Sequence, residues 1–270
     1  MVKLIHISDL HYGSSEFKLR YLENIIEYIN DRKPDAVICT GDITHKSRKN
    51  EYEFISTYLK RIEVPLLNVI GNHDAANNGV VFFERYIGPR RSTLVLKEND
   101  TLIMGVRSPR DNTSEGELGD EQLEWMMKEL DKNQEKIKVL ALHHHLVAVP
   151  SAGVKRGTLV DAGEVLQLIQ DYEIDLVLQG HRHVPHIWSF GKAVLLYCGT
   201  SASNKVRADD TPCFNEISIF REKTTINVVD SLTLKKSLLF SQNRGKIGYA
   251  RSRNEKINHI LNSRVFQNIY

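Results

Sequence analysis

Over the first 180 residues, short unbroken apolar runs alternate with stretches in which apolar residues recur every three or four positions. The runs Lys3–Ser8, Ala36–Thr40, Pro65–Ile70, Leu102–Arg107, Ile137–Leu142 and Asp175–Leu178 are too short for helices, and several are apolar throughout. They predict strands covered on both faces. Between them, Leu19, Leu22, Ile25, Ile26 and Ile29 share one helical face, as do Tyr52, Ile55, Tyr58, Leu59 and Ile62. Leu123, Met126, Met127 and Leu130 follow an N-cap candidate at Asp120, and Val165, Leu168 and Ile169 follow one at Asp161. This alternation predicts a layered α/β fold. From about Val184 the pattern changes to consecutive strands (Val184–Phe190, Val194–Cys198, Phe214–Phe220, Thr224–Val229), which predicts a second sheet packed beside the first.

Composition narrows the class without identifying a function. The chain has 270 residues, 41% hydrophobic and 26% charged, a globular balance that excludes a fibre or a disordered segment. A chain of this length buries a core without a disulfide or structural metal. The longest apolar run, Ala193–Cys198, is far short of the ~20 residues of a membrane span. The opening Met1-Val2-Lys3-Leu4-Ile5-His6 lacks the apolar core of a secretory leader, and Cys39, Cys198 and Cys213 are too scattered for a disulfide framework. A cytoplasmic protein is therefore expected.

Charge is unevenly spread. Residues 231–270 carry a net +7 and residues 1–230 a net −5, so the chain is divided at 230 into a body and a basic extension. In the extension, Leu238, Leu239 and Phe240 cluster, and Ile257, Ile260, Leu261 and Val265 share a helical face. Such apolar content predicts docking, on the acidic body or on a second subunit of a homo-oligomer. A surface for nucleic acid is the other reading.

Five segments just beyond predicted strands carry metal-type side chains: Asp9-Leu10-His11, Gly41-Asp42, Gly71-Asn72-His73-Asp74, His143-His144-His145 and Gly180-His181-Arg182-His183. Each alone reads equally as turn chemistry or a surface imidazole. Together they matter because residues beyond the carboxyl ends of strands in open α/β sheets converge on one crevice.

This ordered set, D-x-H, GD, GNH[DE], a histidine opening an HH segment, and GHxH, resembles the calcineurin-like metallophosphoesterases. The resemblance spans about residues 3–220. Gly199-Thr200-Ser201, Arg207 and Phe214-Asn215 further resemble the cyclic-nucleotide and glycerophosphodiester phosphodiesterase branch. The resemblance implies a four-layer α/β/β/α sandwich of two mixed sheets, with residues 1–230 as the catalytic domain. It also implies two divalent metal ions, with Asp9, His11, Asp42 and His183 on the first and Asp42, Asn72, His143 and His181 on the second. The set has no thiolate, so it suits Mn, Fe, Co or Zn without selecting one. By the same resemblance His73 is a catalytic residue that holds no metal and hydrogen-bonds the scissile phosphate, and Asp74 orients its imidazole. The implied reaction is in-line attack by a hydroxide bridging the metals on a small phosphodiester, a cyclic nucleotide or a glycerophosphodiester. A metal-dependent nuclease and a phosphomonoesterase are the alternatives, and an inert protein-binding scaffold would be expected to have lost ligands that are all present here.

The other tempting residues stay open. His6 reads as a packed core histidine, His45 as a residue of the site or of a solvated loop, and His144 and His145 as neighbours of a ligand. Arg107 and Arg207 suit phosphate oxygens or surface ion pairs alike.

Overall fold

The computed structural model describes residues 1–110, 113–133, 137–150, 152, 157–207, 210–220, 223–243 and 249–250. Two mixed sheets pack face to face. The first joins β1 (Val2–Ile7), β2 (Ala36–Cys39) and β3 (Leu66–Asn68) to the late strands, in the order β13-β12-β11-β10-β1-β2-β3. The late strands are β10 (Cys213–Ile219), β11 (Lys223–Asp230), β12 (Lys236–Asn243) and β13 (Tyr249–Ala250). The second sheet contains β4 (Ser92–Leu96), β5 (Thr101–Gly105), β6 (Ile137–Ala141), β7 (Leu176–Gln179), β8 (His186–Phe190) and β9 (Ala193–Tyr197), ordered β4-β5-β6-β7-β9-β8.

The alternation of side chains along each strand sorts the core into three apolar layers. Between the sheets lie Val2, Leu4, Ile38 and Ile217 from one and Ile103, Val139, Leu178 and Leu196 from the other. Ile5, Ile7, Val37 and Cys39 point outward onto α1 (Leu19–Arg32), α2 (Lys49–Leu59) and α4 (Gly79–Tyr86), which present Leu22, Ile25, Ile29, Ile55 and Phe83. Between α2 and α4 in the chain lies the single-turn α3 (Asn72–Ala75). On the far side Leu102, Leu140, Val177 and Leu195 meet Met126, Leu130, Val165 and Ile169 of α5 (Asp120–Asp131) and α6 (Ala162–Asp171). The result is an α/β/β/α sandwich. Each fully buried aliphatic side chain stabilises it by about 1.5–3 kcal/mol against exposure.

The strands after Val184 do not form a sheet of their own. β8 and β9 extend the second sheet, β9 parallel to β7, whereas β10 returns to pair antiparallel with β1. Apolar pattern specifies that a strand is buried but not which neighbour it takes, so this division was not readable from periodicity. Two further elements had no clear signal: α4 is eight residues with a continuous apolar run, and β4 is a half-exposed edge strand. At the predicted caps, Asp120 is the first residue of α5 rather than its cap. Asp161 does precede α6, but its carboxylate accepts the backbone N–H groups of Leu118 and Gly119 (3.0 and 2.9 Å) and so ties the two helix starts together.

Among the described residues beyond 230, β12 and β13 continue the first sheet. β12 pairs antiparallel with β11, Leu239 and Phe240 are buried, and Lys236 Nζ reaches Glu216 at 2.6 and 2.8 Å. The apolar face at Ile257, Ile260, Leu261 and Val265 lies outside the described residues. Among the described residues no helix is long and apolar enough to cross a membrane.

Candidate metal centre

All five segments leave the carboxyl ends of their strands on one rim of the sandwich: Asp9 and His11 after β1, Asp42 after β2, Asn72–Asp74 after β3, His143 after β6, and His181 and His183 after β7. Two groups result. Asp9, His11 and His183 form one and Asp42, His143 and His181 the other, with the donor atoms of each group within 4.8 Å of one another. In the first, His11 Nε2 lies 2.9 Å from His183 Nε2, and Asp9 Oδ1 is 3.8 Å from the His11 nitrogen and 3.2 Å from that of His183. In the second, Asn72 Oδ1 lies 2.9 Å from His181 Nδ1 and 3.1 Å from His143 Nε2. Asp42 stands between the groups, Oδ1 at 3.4 Å from His143 Nε2 and Oδ2 at 3.9 Å from His11 Nε2.

The shorter of these separations, 2.9–3.4 Å, fit the edges of a coordination shell. Bonds of about 2.1 Å put neighbouring ligands about 3.0–3.4 Å apart in octahedral or tetrahedral geometry. Asp9 Oδ1 is buried and has no hydrogen-bond partner. Nitrogen acceptors brought this close, with an orphaned carboxylate oxygen beside them, are the arrangement a divalent cation satisfies. The three cysteines are buried, and burial pushes the thiols of Cys39 and Cys198 up, so sulfur takes no part.

Surrounding groups set which atom faces inward. His143 Nδ1 donates to the Thr40 carbonyl (2.7 Å) and His183 Nδ1 to the Lys205 carbonyl, which leaves both Nε2 lone pairs for the centre. Asp9 Oδ2 accepts from Ser8 Oγ (2.6 Å) and from the His181 N–H (3.0 Å), so Oδ1 is the oxygen turned to the imidazoles. That bond ends a buried chain in which His6 Nε2 meets Thr40 Oγ1 (2.9 Å) and Thr40 Oγ1 donates to Ser8 Oγ (2.8 Å). His6 is thus a core histidine as expected, and it also sits three hydrogen bonds from Asp9. Ser8 and Thr40 carry no sequence signal of this role, although each stands next to a motif.

Electrostatics follow burial first. It pushes His6, His11 and His145 down to about 3, and drives His144 and His181 well down. Burial also lowers His143, but the charge and hydrogen bond of Asp42 outweigh it and raise that imidazole to about 9. The reverse holds for the carboxyls. Burial opposes ionisation of Asp9 and Asp42, yet His183 brings Asp9 down to about 2, and His143, His73 and His11 hold Asp42 well below the usual range.

Asp74 requires a correction, because it does not orient His73. It is fully buried, and its oxygens accept the N–H groups of Ile43 (3.1 Å), Thr44 (2.8 Å) and Gly71 (3.0 Å) and the Thr44 hydroxyl (2.9 Å). It therefore clamps the loop after β2 to the loop after β3. His73 Nδ1 instead donates to the His45 carbonyl (2.8 Å), while its ring meets His11 edge-on at 4.8 Å and stacks on His45 at 5.2 Å. His144 bonds Ser108 and His145 bonds the Gly180 carbonyl, so both support the rim rather than face the centre. Arg207 caps the Ala152 carbonyl, and Arg107 lines a groove that opens beside Asn72 and His73.

Two back-to-back mixed sheets with carboxylate–imidazole–amide clusters at their shared rim define a metal-dependent phosphoesterase. The calcineurin-like phosphoesterase family model matches residues 2–185, and the chain belongs to that family. It is 33% identical over 221 residues to a probable glycerophosphodiester phosphodiesterase GpdQ of Arcobacter nitrofigilis, covering 76% of this chain and 80% of the relative. It is also 24% identical over 201 residues to the 3',5'-cyclic adenosine monophosphate phosphodiesterase CpdA of Haemophilus influenzae, covering 68% and 70%. Among solved structures, a purple acid phosphatase PPD1 from yellow lupin superposes with a TM-score of 0.69 at 14% identity, over 95% of this chain and 55% of that longer one. A dimetal phosphatase from Danio rerio gives 0.64 at 10% identity, over 88% and 98%.

Proposed function

We propose that the protein hydrolyses the phosphodiester bond of a small substrate of the glycerophosphodiester or cyclic-nucleotide class at a two-metal centre. The observation that carries this reading is the placement of Asp42 between two donor groups, one oxygen toward each. Asp9, His11, Asp42 and His183 would hold one cation, and Asp42, Asn72, His143 and His181 the other. When bound, such a pair polarises the phosphoryl oxygens and brings a coordinated water within reach of deprotonation near neutral pH. Mn, Fe, Co and Zn all suit the donor set. The substrate class is carried over from the names of the relatives, with the N/O donor set as physical support.

The chain's own residues supply the rest. Asn72 and His73 line the groove in which substrate would lie. His73 Nδ1 donates to a carbonyl, so Nε2 is the edge left toward the substrate, and in the imidazolium form its N–H would donate a hydrogen bond to the phosphoryl group or a proton to the leaving oxygen. The His45 carbonyl fixes that ring, so His73 meets the reacting group already oriented.

The test is manganese-dependent hydrolysis of bis(p-nitrophenyl) phosphate beside p-nitrophenyl phosphate, with metal content measured on the same samples. The diester should be cleaved faster. Asp42→Ala should lose at least about a thousandfold in rate together with bound metal, whereas His73→Gln should lose about a hundredfold with the metals kept. A preference for the monoester would overturn the diesterase reading. An active, fully metallated Asp42→Ala would overturn the bridge.

A further inference from the structure

The hydrogen bonds behind Asp9 all run one way. Its Oδ2 accepts from Ser8 Oγ (2.6 Å), and a carboxylate oxygen only accepts, so the Ser8 hydrogen is committed there. Ser8 Oγ therefore accepts from Thr40 Oγ1 (2.8 Å), which commits the Thr40 hydrogen in turn. Thr40 Oγ1 is left to accept from His6 Nε2 (2.9 Å), and this places the single ring proton of a neutral His6 on Nε2. The far end agrees, because His6 Nδ1 faces the amide nitrogen of Asn215 (3.3 Å), a donor, and is therefore an acceptor. Asn215 of β10 is the register partner of His6 in β1, and Asn215, His6, Thr40, Ser8 and Asp9 are all fully buried.

Other loops enclose this series. A β-carbon on Gly180 would lie 2.0 Å from Ser8 Oγ, 2.7 Å from Asp9 Oδ2 and 3.1 Å from Thr40 Oγ1, so the backbone after β7 already presses against it. The loop after β9 holds the main chain: Ser201 Oγ accepts the Ser8 N–H (3.0 Å), the Ser201 N–H donates to the Ser8 carbonyl (2.9 Å), and Thr200 Oγ1 donates to the Asp9 carbonyl (2.6 Å). Two sequence features that the hydrolytic chemistry leaves unused, Thr200-Ser201 and Asn215, thus meet behind Asp9.

We infer that Asn215, His6, Thr40 and Ser8 act in series as positioning residues for the first cation, each aligning the next, so that Asp9 keeps Oδ2 hydrogen-bonded and presents Oδ1 to the metal. The inference rests on the reading that Asp9 ligates that cation. Hydrogen bonds aligned in one direction polarise and strengthen one another, and groups that orient a ligand contribute about ten- to a hundredfold in metal affinity.

Manganese titration by calorimetry tests the series. Ser8→Ala should weaken one of the two binding steps by about ten- to a hundredfold. Thr40→Val, which keeps the carbonyl that holds His143, should weaken the same step by about tenfold and Asn215→Leu by about threefold, while Thr40→Ser should bind like the parent. On top of Ser8→Ala, Thr40→Val and Asn215→Leu should each add less than about twofold, because their effect passes through Ser8. Independent structural roles give additive losses instead, so additivity, or an unweakened Ser8→Ala, overturns the series. Thermal unfolding identifies any variant that does not fold. Nitrogen-15 NMR of the parent needs no variant: His6 should carry its proton on Nε2, and that resonance should move when zinc is added. A proton on Nδ1 overturns the series. Two manganese ions bound equally by the parent and every variant sink the series alone. No manganese bound by the parent, with a His6 Nε2–H resonance that moves in Ser8→Ala, sinks the two-metal reading and leaves the hydrogen-bond series standing.

Discussion

Five of the seven candidate ligands, Asp9, His11, Asp42, His181 and His183, have backbone φ between 51° and 72°. This left-handed region costs a residue with a β-carbon about 1–2 kcal/mol, and Asp and His are among the residue types that enter it more readily. The residue types and their spacing were legible in the sequence, but the conformation was not, because it is imposed by bonds to distant atoms. Asp74 illustrates the same limit. Its place after His73 suggested a partner for the imidazole, yet burial, and then the charge of Asp42, push its carboxyl up to about 6 against the pull of the backbone donors it clamps. Asp74→Asn turns an amide NH₂ toward one pair of those donors. It should lower stability by about 2–3 kcal/mol and weaken metal binding, with the shape of the pH–rate profile retained. Denaturation and metal titration check this, and a changed profile at unchanged stability would return Asp74 to a catalytic role. His6 has a separate consequence. Its native pKa of about 3 lies below the ordinary 6.5, so unfolding takes up a proton wherever the pH lies between them. Stability contributed by keeping it neutral is present above 6.5 and is lost as pH falls toward 3, at up to about 1.4 kcal/mol per pH unit. In metal-free protein, His6→Gln should give a shallower fall in stability between pH 6.5 and 5 than the parent, measured by denaturant unfolding.

At the scale of elements, what matters is how closely the loops approach one another. A β-carbon on Gly71 would lie 2.2 Å from Asp42 N and Oδ1, and one on Gly41, whose φ is +94°, would lie 2.6 Å from Gly71 N. These glycines let the loops after β2 and β3 lie backbone to backbone, so Asp42 can reach both donor groups. Gly71→Ala must push Asp42 aside. It should cost at least about a hundredfold in turnover, with weaker metal binding, while the far-UV circular dichroism stays that of the parent. The strands that carry these loops were readable as apolar runs, and the helices α1, α2, α5 and α6 as 3.6-residue periodicities. Which strands share a sheet was not, since β9 and β10 carry the same kind of apolar pattern and go to different sheets. Nor were Ser8, Thr40 and the Lys205 carbonyl, whose contribution is to aim a ligand they do not replace.

For the whole molecule, the donors divide between the sheets. Asp9, His11, Asp42 and Asn72 follow strands of the first, and His143, His181 and His183 strands of the second. Each proposed cation therefore joins both sheets, acting as a link across the sandwich as well as a reactive centre. A ligand held only by the folded state, at about a hundred times its dissociation constant, stabilises by about 2.7 kcal/mol, which is about 5–10 °C for a domain of this size. Chelation should lower the melting temperature by that amount, and manganese should restore it, as read by differential scanning fluorimetry. An unmoved melting temperature would mean that no cation bridges the sheets.

The pairing of Val2 with Ile219 also bears on how the molecule is made. A ribosome adding about 5–20 residues each second delivers β10 some 10–40 seconds after β1. During that interval one side of β1 is an open edge, flanked by apolar residues that belong in the finished interior, and such edges invite pairing with other chains. Asp9 and His11 emerge early, but they wait for His183 before their donor group is complete. Nascent chains that end between β9 and β10 are therefore the stage at which a holding chaperone would matter most, and metal capture becomes available only after about two thirds of the chain has been made.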